Sequence, residues 1–413
     1  DAPSGTDSAV TTNEDTDYIF AAADFGFSDP NDSPSNNFDS VKITKLPLAG
    51  VLTVTGGAAL SAGDFVTAAD IAAGKLKFTP VTDASGSPYT SYRFQVKDDG
   101  GTANGGVDLD PTPRTMTINV TSVNDAPAAN EQVVTADEDA AKLITLVAVD
   151  IDGDTLSYKI TALPANGKLF QGNSTEAADE ITSASLPFIL PGSGKQVTYV
   201  GNLNFNGGDN FKFVANDGGT DSNEASVFVT VNLVNDAPSF TKGANQVVAE
   251  DAGPQTVTGW ANNVVSGPAD EAGQTLTFLV TNDNPALFAV QPAIAPNGTL
   301  TFTSALNAFG SATVSVLLQD NGGTTNGGVD TSGPQTFTIT VTPVNDAPAA
   351  QNDAYALNED AVLNIARSQG VLVNDSDVEG SALTAILVDR PLHGVAALRA
   401  DGSFLYVPAA NFN

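Results

Sequence analysis

Cysteine is absent from the 413 residues, and histidine, methionine and tryptophan occur once each. That excludes a disulfide framework, a thiol nucleophile and any metal site built on thiolates or several imidazoles. Basic residues are scarce as well: 16 Lys and Arg face 48 Asp and Glu, for a formal net charge of -32. A surface of that sign repels the phosphates of nucleic acid and of anionic membranes, and it attracts divalent cations and basic partners. No apolar run reaches the ~18 residues of a membrane-crossing helix, so direct membrane insertion is not expected. Asp1-Ala2-Pro3-Ser4 does not read as a signal peptide. Helical spacing of apolar residues is rare. What the chain has in plenty is Asp, 38 of the 48 acids, with 38 Gly and 23 Pro, all residues of turns.

The chain repeats itself. Asn124-Asp125-Ala126-Pro127 returns as Asn235-Asp236-Ala237-Pro238 and Asn345-Asp346-Ala347-Pro348, and the chain opens on Asp1-Ala2-Pro3. The intervals between these Asp positions are 124, 111 and 110 residues. A unit of that size buries its own core, unlike short solenoid repeats that need neighbours. Four domains are expected, at 1–123, 124–234, 235–344 and 345–413. In the fourth, Phe404 to Asn413 lines up with Val197 to Asn206 of the second, so its last two strands are expected to be missing. An excerpt of a longer chain explains that, and so does strand donation by a neighbouring chain in a fibre.

Within each unit, short runs alternate apolar and polar residues between Gly, Asn, Asp and Pro, the period of half-buried strands. In the second unit the runs are Gln132 to Thr135, Lys142 to Val149, Thr155 to Ile160, Gly167 to Phe170, Val197 to Val200, Asn210 to Ala215 and Ala225 to Val234. Seven strands are the count of an immunoglobulin-like β-sandwich, so the fold class is all-β. The linkers are a few residues long and contain a proline that fixes φ. They are read as stiff joints that stack the sandwiches end to end as a rod.

Acids recur at fixed places. A Glu-Asp pair follows each linker, Glu14-Asp15, Glu138-Asp139, Glu250-Asp251 and Glu359-Asp360, with the Glu 13, 13, 14 and 13 residues after the linker Asp. An acidic turn precedes the third strand: Asp29 and Asp32, then Asp150, Asp152 and Asp154, then Asp270 and Glu271, then Asp375, Asp377 and Glu379. The turn after the sixth strand carries Asp98-Asp99, Asn216-Asp217 or Asp320-Asn321 before Gly-Gly. Strand parity puts this turn, the acidic turn and the incoming linker at one end of a sandwich, and the Glu-Asp pair at the other. Calcium takes about six to eight oxygens of these kinds. The rival reading is that Asp-rich turns are only turns, because Asp caps its own backbone.

Asp137-Glu138-Asp139-Ala140, Val149-Asp150-Ile151-Asp152, Leu156-Ser157-Tyr158, Phe213-Val214-Ala215-Asn216-Asp217 and Val234-Asn235-Asp236-Ala237-Pro238 resemble the successive signatures of cadherin repeats, in order. More closely, the chain is similar to the cadherin-like tandem repeats of giant bacterial surface adhesins. The resemblance implies calcium at each joint, held at the first by Glu14, Asn124, Asp125, Asp150, Asp152 and Asp217. It implies Glu138, Asn235, Asp236, Asp270 and Asp320 at the second, and Glu250, Asn345, Asp346, Asp375 and Asp377 at the third. Asp29, Asp32 and Asp99 are the matching acids of the first repeat. The linkers are one residue shorter than the family form, Ser122, Leu233 or Pro343 stands where an acid is expected, and no Asp-Arg-Glu motif occurs. Fewer ligands imply one or two ions per joint, binding at about 10⁻⁴ to 10⁻³ M.

Asp150-x-Asp152-x-Asp154 is not an EF-hand, since Thr155 and Thr161 stand where Gly and Glu are needed. The twin segments Gly100 to Asp108 and Gly322 to Asp330 read as long hairpin loops. His393 is expected to be exposed, and Trp260 to pack in a core.

The expected function is a non-enzymatic, extracellular, cell-surface stalk or fibre segment used in attachment, stiffened by calcium between neighbouring repeats. Two alternatives stand beside it. The repeats could bind a carbohydrate or protein receptor themselves, through exposed aromatics near Tyr89 and Tyr92 or the long loops of the first and third units, or form an acidic filament that needs no metal.

Overall fold

A computed structural model of the chain describes residues 1–56 and 59–412; Asn413, the last residue of the expected fourth repeat, lies outside the described residues. The chain divides into two units, Asp1–Asn232 and Leu233–Asn413. The first unit has two separate hydrophobic cores. One gathers Phe20, Phe25, Tyr92, Phe94 and Met116, the other Tyr158, Leu169, Tyr199, Phe211 and Phe213. The second unit has a core around Trp260, Phe302, Leu318 and Phe337. We keep the names first to fourth repeat for the four sequence periods and propose that each is a domain.

Each core lies between two sheets. In the first repeat, Ser8–Asn13, Arg114–Thr121, Gly86–Asp98, Phe38–Lys45 and Phe65–Thr67 lie side by side in that order, and Tyr18–Ile19, Leu76–Thr79 and Val51–Val54 form the second sheet. In the second repeat the order is Gln132–Asp137, Ala225–Asn232, Gly207–Asn216, Ser157–Ala162 and Phe188–Ile189. Its second sheet is Ala141–Thr145, Gln196–Gly201, Gly167–Gln171 and Glu180–Ile181. The third repeat follows the same plan, with Gln246–Ala249, Gln335–Thr342, Gly310–Gln319 and Thr277–Asn282 in one sheet and Pro254–Val257, Leu300–Ser304 and Phe288–Ile294 in the other. The alternation in sequence becomes alternation of burial. Met116, Ile118 and Val120 point into the first core, and Val227, Val229 and Val231 into the second. Each of the seven runs expected in the second repeat contains a strand, but Lys142 to Val149 is split into Ala141–Thr145 and Ala148–Val149, the third strand begins at Ser157 and the last ends at Asn232; the structure adds the short Ala128–Ala129, Glu180–Ile181 and Phe188–Ile189.

One pairing is parallel in an otherwise antiparallel fold. The first strand runs alongside the last, with Ser8 opposite Met116, Gln132 opposite Val227 and Gln246 opposite Ile339. The ladder ends the same way each time: the amide of Glu14, Glu138 or Glu250 donates to the carbonyl of Thr121, Asn232 or Thr342, at 3.0, 3.0 and 2.9 Å. The Glu of the first three Glu-Asp pairs is thereby set beside the point where the chain leaves the sandwich.

The fourth repeat contains one three-stranded sheet, Leu363–Ile365, Phe404–Pro408 and Gly394–Leu398. Phe404–Pro408 pairs with Leu363–Ile365 as Gln196–Gly201 pairs with Ala141–Thr145 in the second repeat. Among the described residues it has no partner sheet, so Ile386, Val388 and Leu392 stay exposed.

Two side chains decide the aromatic reading. Trp260 is buried and its indole donates to the carbonyl of Ala244 at 2.9 Å. Tyr92 corrects an expectation: it is 1% exposed and lies edge-on to Phe20, because its position in the Gly86–Asp98 strand faces the core. Tyr89 is half-buried against Phe78, so this pair offers no open aromatic platform. His393 is exposed and stacks on Phe412 at 4.1 Å.

Separate cores imply separate melting. Phe213→Ala, at a fully buried site, is expected to destabilise the second repeat by ~3–5 kcal/mol and to lower one calorimetric transition. A uniform shift of every transition would contradict independent cores.

Candidate metal sites at the linkers

The two acids of the first three Glu-Asp pairs have different work, while Glu359 of the fourth is exposed. The buried Glu holds the linker: Val123 donates its amide to Glu14 Oε1 at 2.6 Å, and Val344 donates to Glu250 Oε1 at 2.8 Å. Glu138 is likewise buried, and its Oε2 accepts from the side-chain nitrogen of Asn206 at 3.4 Å. The Asp folds the turn. Asp15, Asp139, Asp251 and Asp360 sit in the left-handed region at φ 55, 56, 58 and 56°, which Asp and Asn tolerate. Each accepts the amide of a second left-handed residue, Asp83, Asn204, Asn307 or Asn411, at 3.3, 3.0, 3.1 and 3.0 Å. In the first repeat that second residue is itself an acid. Carboxylate oxygens of Asp15, Asp83 and Asp125 therefore all fall within 4.8 Å of one another.

The acidic turn holds the linker from the other side. Asp152 accepts the Asp125 amide and the Ser122 hydroxyl, both at 2.8 Å. Asp217 accepts from the Asn124 side chain at 2.9 Å. Asp150 accepts the Asp154 amide at 3.1 Å and keeps its Oδ2 buried without a donor. Burial, then the charges of Asp83, Asp152, Glu14 and Asp15, raise the Asp125 pKa. Burial and the neighbouring Asp15 raise that of Asp83. Hydrogen bonds lower Asp152, chiefly from the Asp125 amide, and lower Asp217, chiefly from the Thr220 amide. The first linker thus gathers more negative charge than its own donors satisfy.

At the third linker, Glu379 takes the part of Asp152 and accepts the Asp346 amide at 3.1 Å. Oxygens of Glu250, Asp346 and Glu379 lie within 4.8 Å of one another. Glu250 Oε2, Asp346 Oδ2 and Glu379 Oε1 are each buried without a hydrogen-bond partner. Glu250 is 2% exposed. Burial, then Glu379, Asp251 and Asp377, raise the Asp346 pKa. Asp375 and Asp377 instead fold the loop, accepting amides of Gln351 and Ser381 at 2.7 and 2.8 Å. Asn345 is exposed and donates to the Asp346 carbonyl at 3.0 Å.

At the incoming end of the third repeat, Glu271 plays this part, accepting the Asp236 amide at 2.9 Å, while Asp270 is exposed. Asp320 accepts from Asn235 at 3.0 Å. Glu271 Oε2 and Asp320 Oδ2 are buried without donors. In the first repeat, Asp29 and Asp98 are buried and each keeps one unpaired oxygen. Asp32 takes the Asn36 side chain at 2.7 Å and the terminal ammonium of Asp1 at 2.8 Å. Asp99 turns outward and accepts both nitrogens of Asn37, at 2.7 and 2.9 Å.

Sequence reasoning passed over Asp83, Asp98, Glu271 and Glu379 as site residues. The signal for Asp98 was present, since Asp98 and Asp320 both stand two residues before the first Gly of the pair.

These donor sets are all oxygen, and buried carboxylate oxygens without donors fit a hard divalent cation rather than a proton donor. Residues 124–230 match the bacterial Ig domain family and residues 345–413 the bacterial cadherin-like domain family. No curated protein matches the chain. Among solved structures, human protocadherin-24 EC1-2 aligns at 19% identity over 53% of this chain and 100% of that one, with a TM-score of 0.36. Protocadherin gamma B7 cadherin domains 1-4 align at 14% identity over 98% of this chain and 92% of that one, with a TM-score of 0.42. Mouse cadherin-23 EC22-24 aligns at 14% identity over 83% and 99%, with a TM-score of 0.41. These scores are low, and no residue role is taken from those structures. The two family matches, one over the second repeat and one over the fourth, support a likeness to the cadherin-like tandem repeats of bacterial surface proteins.

Proposed function

We propose that the chain is a non-enzymatic stalk segment of a bacterial surface adhesin, and that calcium at the linkers stiffens it. The carrying observation is the third linker, where Glu250, Asp346 and Glu379 converge and each buries an oxygen that no donor reaches. An unsatisfied buried polar group costs ~1–3 kcal/mol, and more when charged. One cation shared among three carboxylates removes that cost and the repulsion together. Domains of both matched families are typically structural or adhesive modules, which suits a spacer better than a catalyst.

The mechanism follows from who holds the linker. At the first, Glu14 of the preceding sandwich grips Val123, and Asp152 of the following one grips Asp125, two residues on. Carboxylates of both repeats therefore face the same short peptide. Without a cation they repel and the linker bends; with one they share it. An ion that binds only the closed arrangement stabilises it by mass action, so stiffness tracks calcium concentration.

Small-angle scattering in calcium and in chelator checks this. A compact chain of this length has a radius of gyration of about 22 Å. Four sandwiches in line give about 46 Å, from strands of ~3.3 Å rise per residue. Calcium is expected to move the value toward the larger figure. An identical curve in chelator would leave the acids as ordinary turns and favour the metal-free filament.

Calorimetric titration separates the linkers. Glu250→Gln with Asp346→Asn is expected to remove the calcium uptake of the third linker, at midpoints of about 10⁻⁴ to 10⁻³ M, and to leave the unfolding of the sandwich cores unchanged. Asp125→Ala is expected to do the same at the first. Undiminished uptake by the double variant would place the ion elsewhere.

A further inference from the structure

The twin hairpin loops have no part in the stalk reading so far. In the third repeat the loop from Gly322 to Asp330 closes over the incoming linker. Asn235 is 5% exposed there. Its side-chain nitrogen donates to Asp320 Oδ1 at 3.0 Å and to the Val329 carbonyl at 2.8 Å, and its side-chain oxygen accepts from Gln274 at 2.7 Å. The Val329 amide returns a bond to the Asn235 carbonyl at 2.8 Å. Four bonds fix one linker residue.

The other linker asparagines differ. Asn124 is exposed and reaches Asp217 at 2.9 Å, where the second repeat has only a tight Gly218-Gly219 turn. Asn345 is exposed and bonds within its own linker. The loop is a built unit, because the first repeat folds it the same way. Asp98 donates its amide to Asp108 and Gly106 to Ala103 at 2.9 and 3.1 Å, as Asp320 does to Asp330 and Gly328 to Thr325, both at 3.0 Å. Asn104 and Asn326 hold matching left-handed turns at φ 58 and 56°.

We propose that the Gly322 to Asp330 loop is a receptor for the linker asparagine, holding the Asn235 side chain by hydrogen bonds that form without metal, beside the unpaired buried oxygens of Glu271 and Asp320 that stay open to a cation. The side-chain oxygen of Asn235 is occupied by Gln274, so here the residue is a plug and not a cation ligand. Gly322 makes the fit possible. A Cβ at that position would stand 1.6 Å from Asn235 Oδ1 and 2.6 Å from the Gln274 amide nitrogen. At Gly219 of the second repeat the nearest atoms would be 3.5 and 3.7 Å away, in ordinary contact.

Amide hydrogen exchange of the whole chain in chelator tests the proposal. The Val329 amide is expected to be protected without calcium. Gly322→Ala and Asn235→Ala are each expected to speed its exchange by ~10-fold or more, with the amides of Gly310–Gln319 unchanged. Gly219→Ala is the control and is expected to leave Val329 at its wild-type rate. Protection of Val329 that appears only with calcium would overturn the proposal, and so would a Val329 rate unmoved by Asn235→Ala. If Gly322→Ala unfolds the third repeat, the Asn235→Ala result decides alone. The calcium reading stands or falls separately, on uptake at the third linker.

Discussion

The parallel pairing of first and last strands is the constraint from which the linker chemistry follows. A sandwich could close its sheet with antiparallel ladders only. Because the first strand instead runs with the last, the residue after it is delivered to the exit of the domain. There the Glu amide caps the final carbonyl of the ladder, and the Glu side chain turns to meet the next amide but one along the chain, as Glu14 does at Val123. A buried carboxylate at a domain exit would be costly on its own. The linker supplies one N–H to it, and in the function proposed above a cation takes the remaining oxygen.

The same logic orders the other end. Whatever the spacing of its acidic turn, each following repeat uses one carboxylate to receive the amide of the linker Asp: Asp152, Glu271 or Glu379. The fixed element is the linker amide. The acid that answers it changes between Asp and Glu as the turn changes length, since Glu reaches one methylene further. The acidic turns of the sequence hold both kinds of acid; the ligand set implied by the family resemblance took Asp270 and Asp377, while the carboxylates that receive the linker amide are Glu271 and Glu379.

The strands were legible because burial on one face imposes a period of two, and the runs from Gln132 to Val234 became strands almost as spaced. The position of the Glu-Asp pair was legible because a constant distance from the linker has to correspond to a fixed place in the fold. Its division of labour was not. A left-handed Asp bonded to a left-handed residue some 68 positions away, as Asp15 is to Asp83, leaves no local pattern. Tyr92 was misread for a related reason. Its strand is long and shifts register against Arg114–Thr121 between Gly86 and Thr90, so simple alternation along the run does not reveal which face it takes.

Three linkers with nearly one sequence are held in different ways. At the first and third, Asn124 and Asn345 are open to solvent and the carboxylates around them crowd. At the incoming end of the third repeat, the buried Asp320 and the Gly322 to Asp330 loop enclose Asn235. Crowded carboxylates call for the cation proposed above; a neutral amide matched donor for acceptor holds its own side chain by hydrogen bonds. A row of similar repeats can therefore vary the response of its joints by changing one hairpin, while the strands, the Glu caps and the linker motif stay as they are.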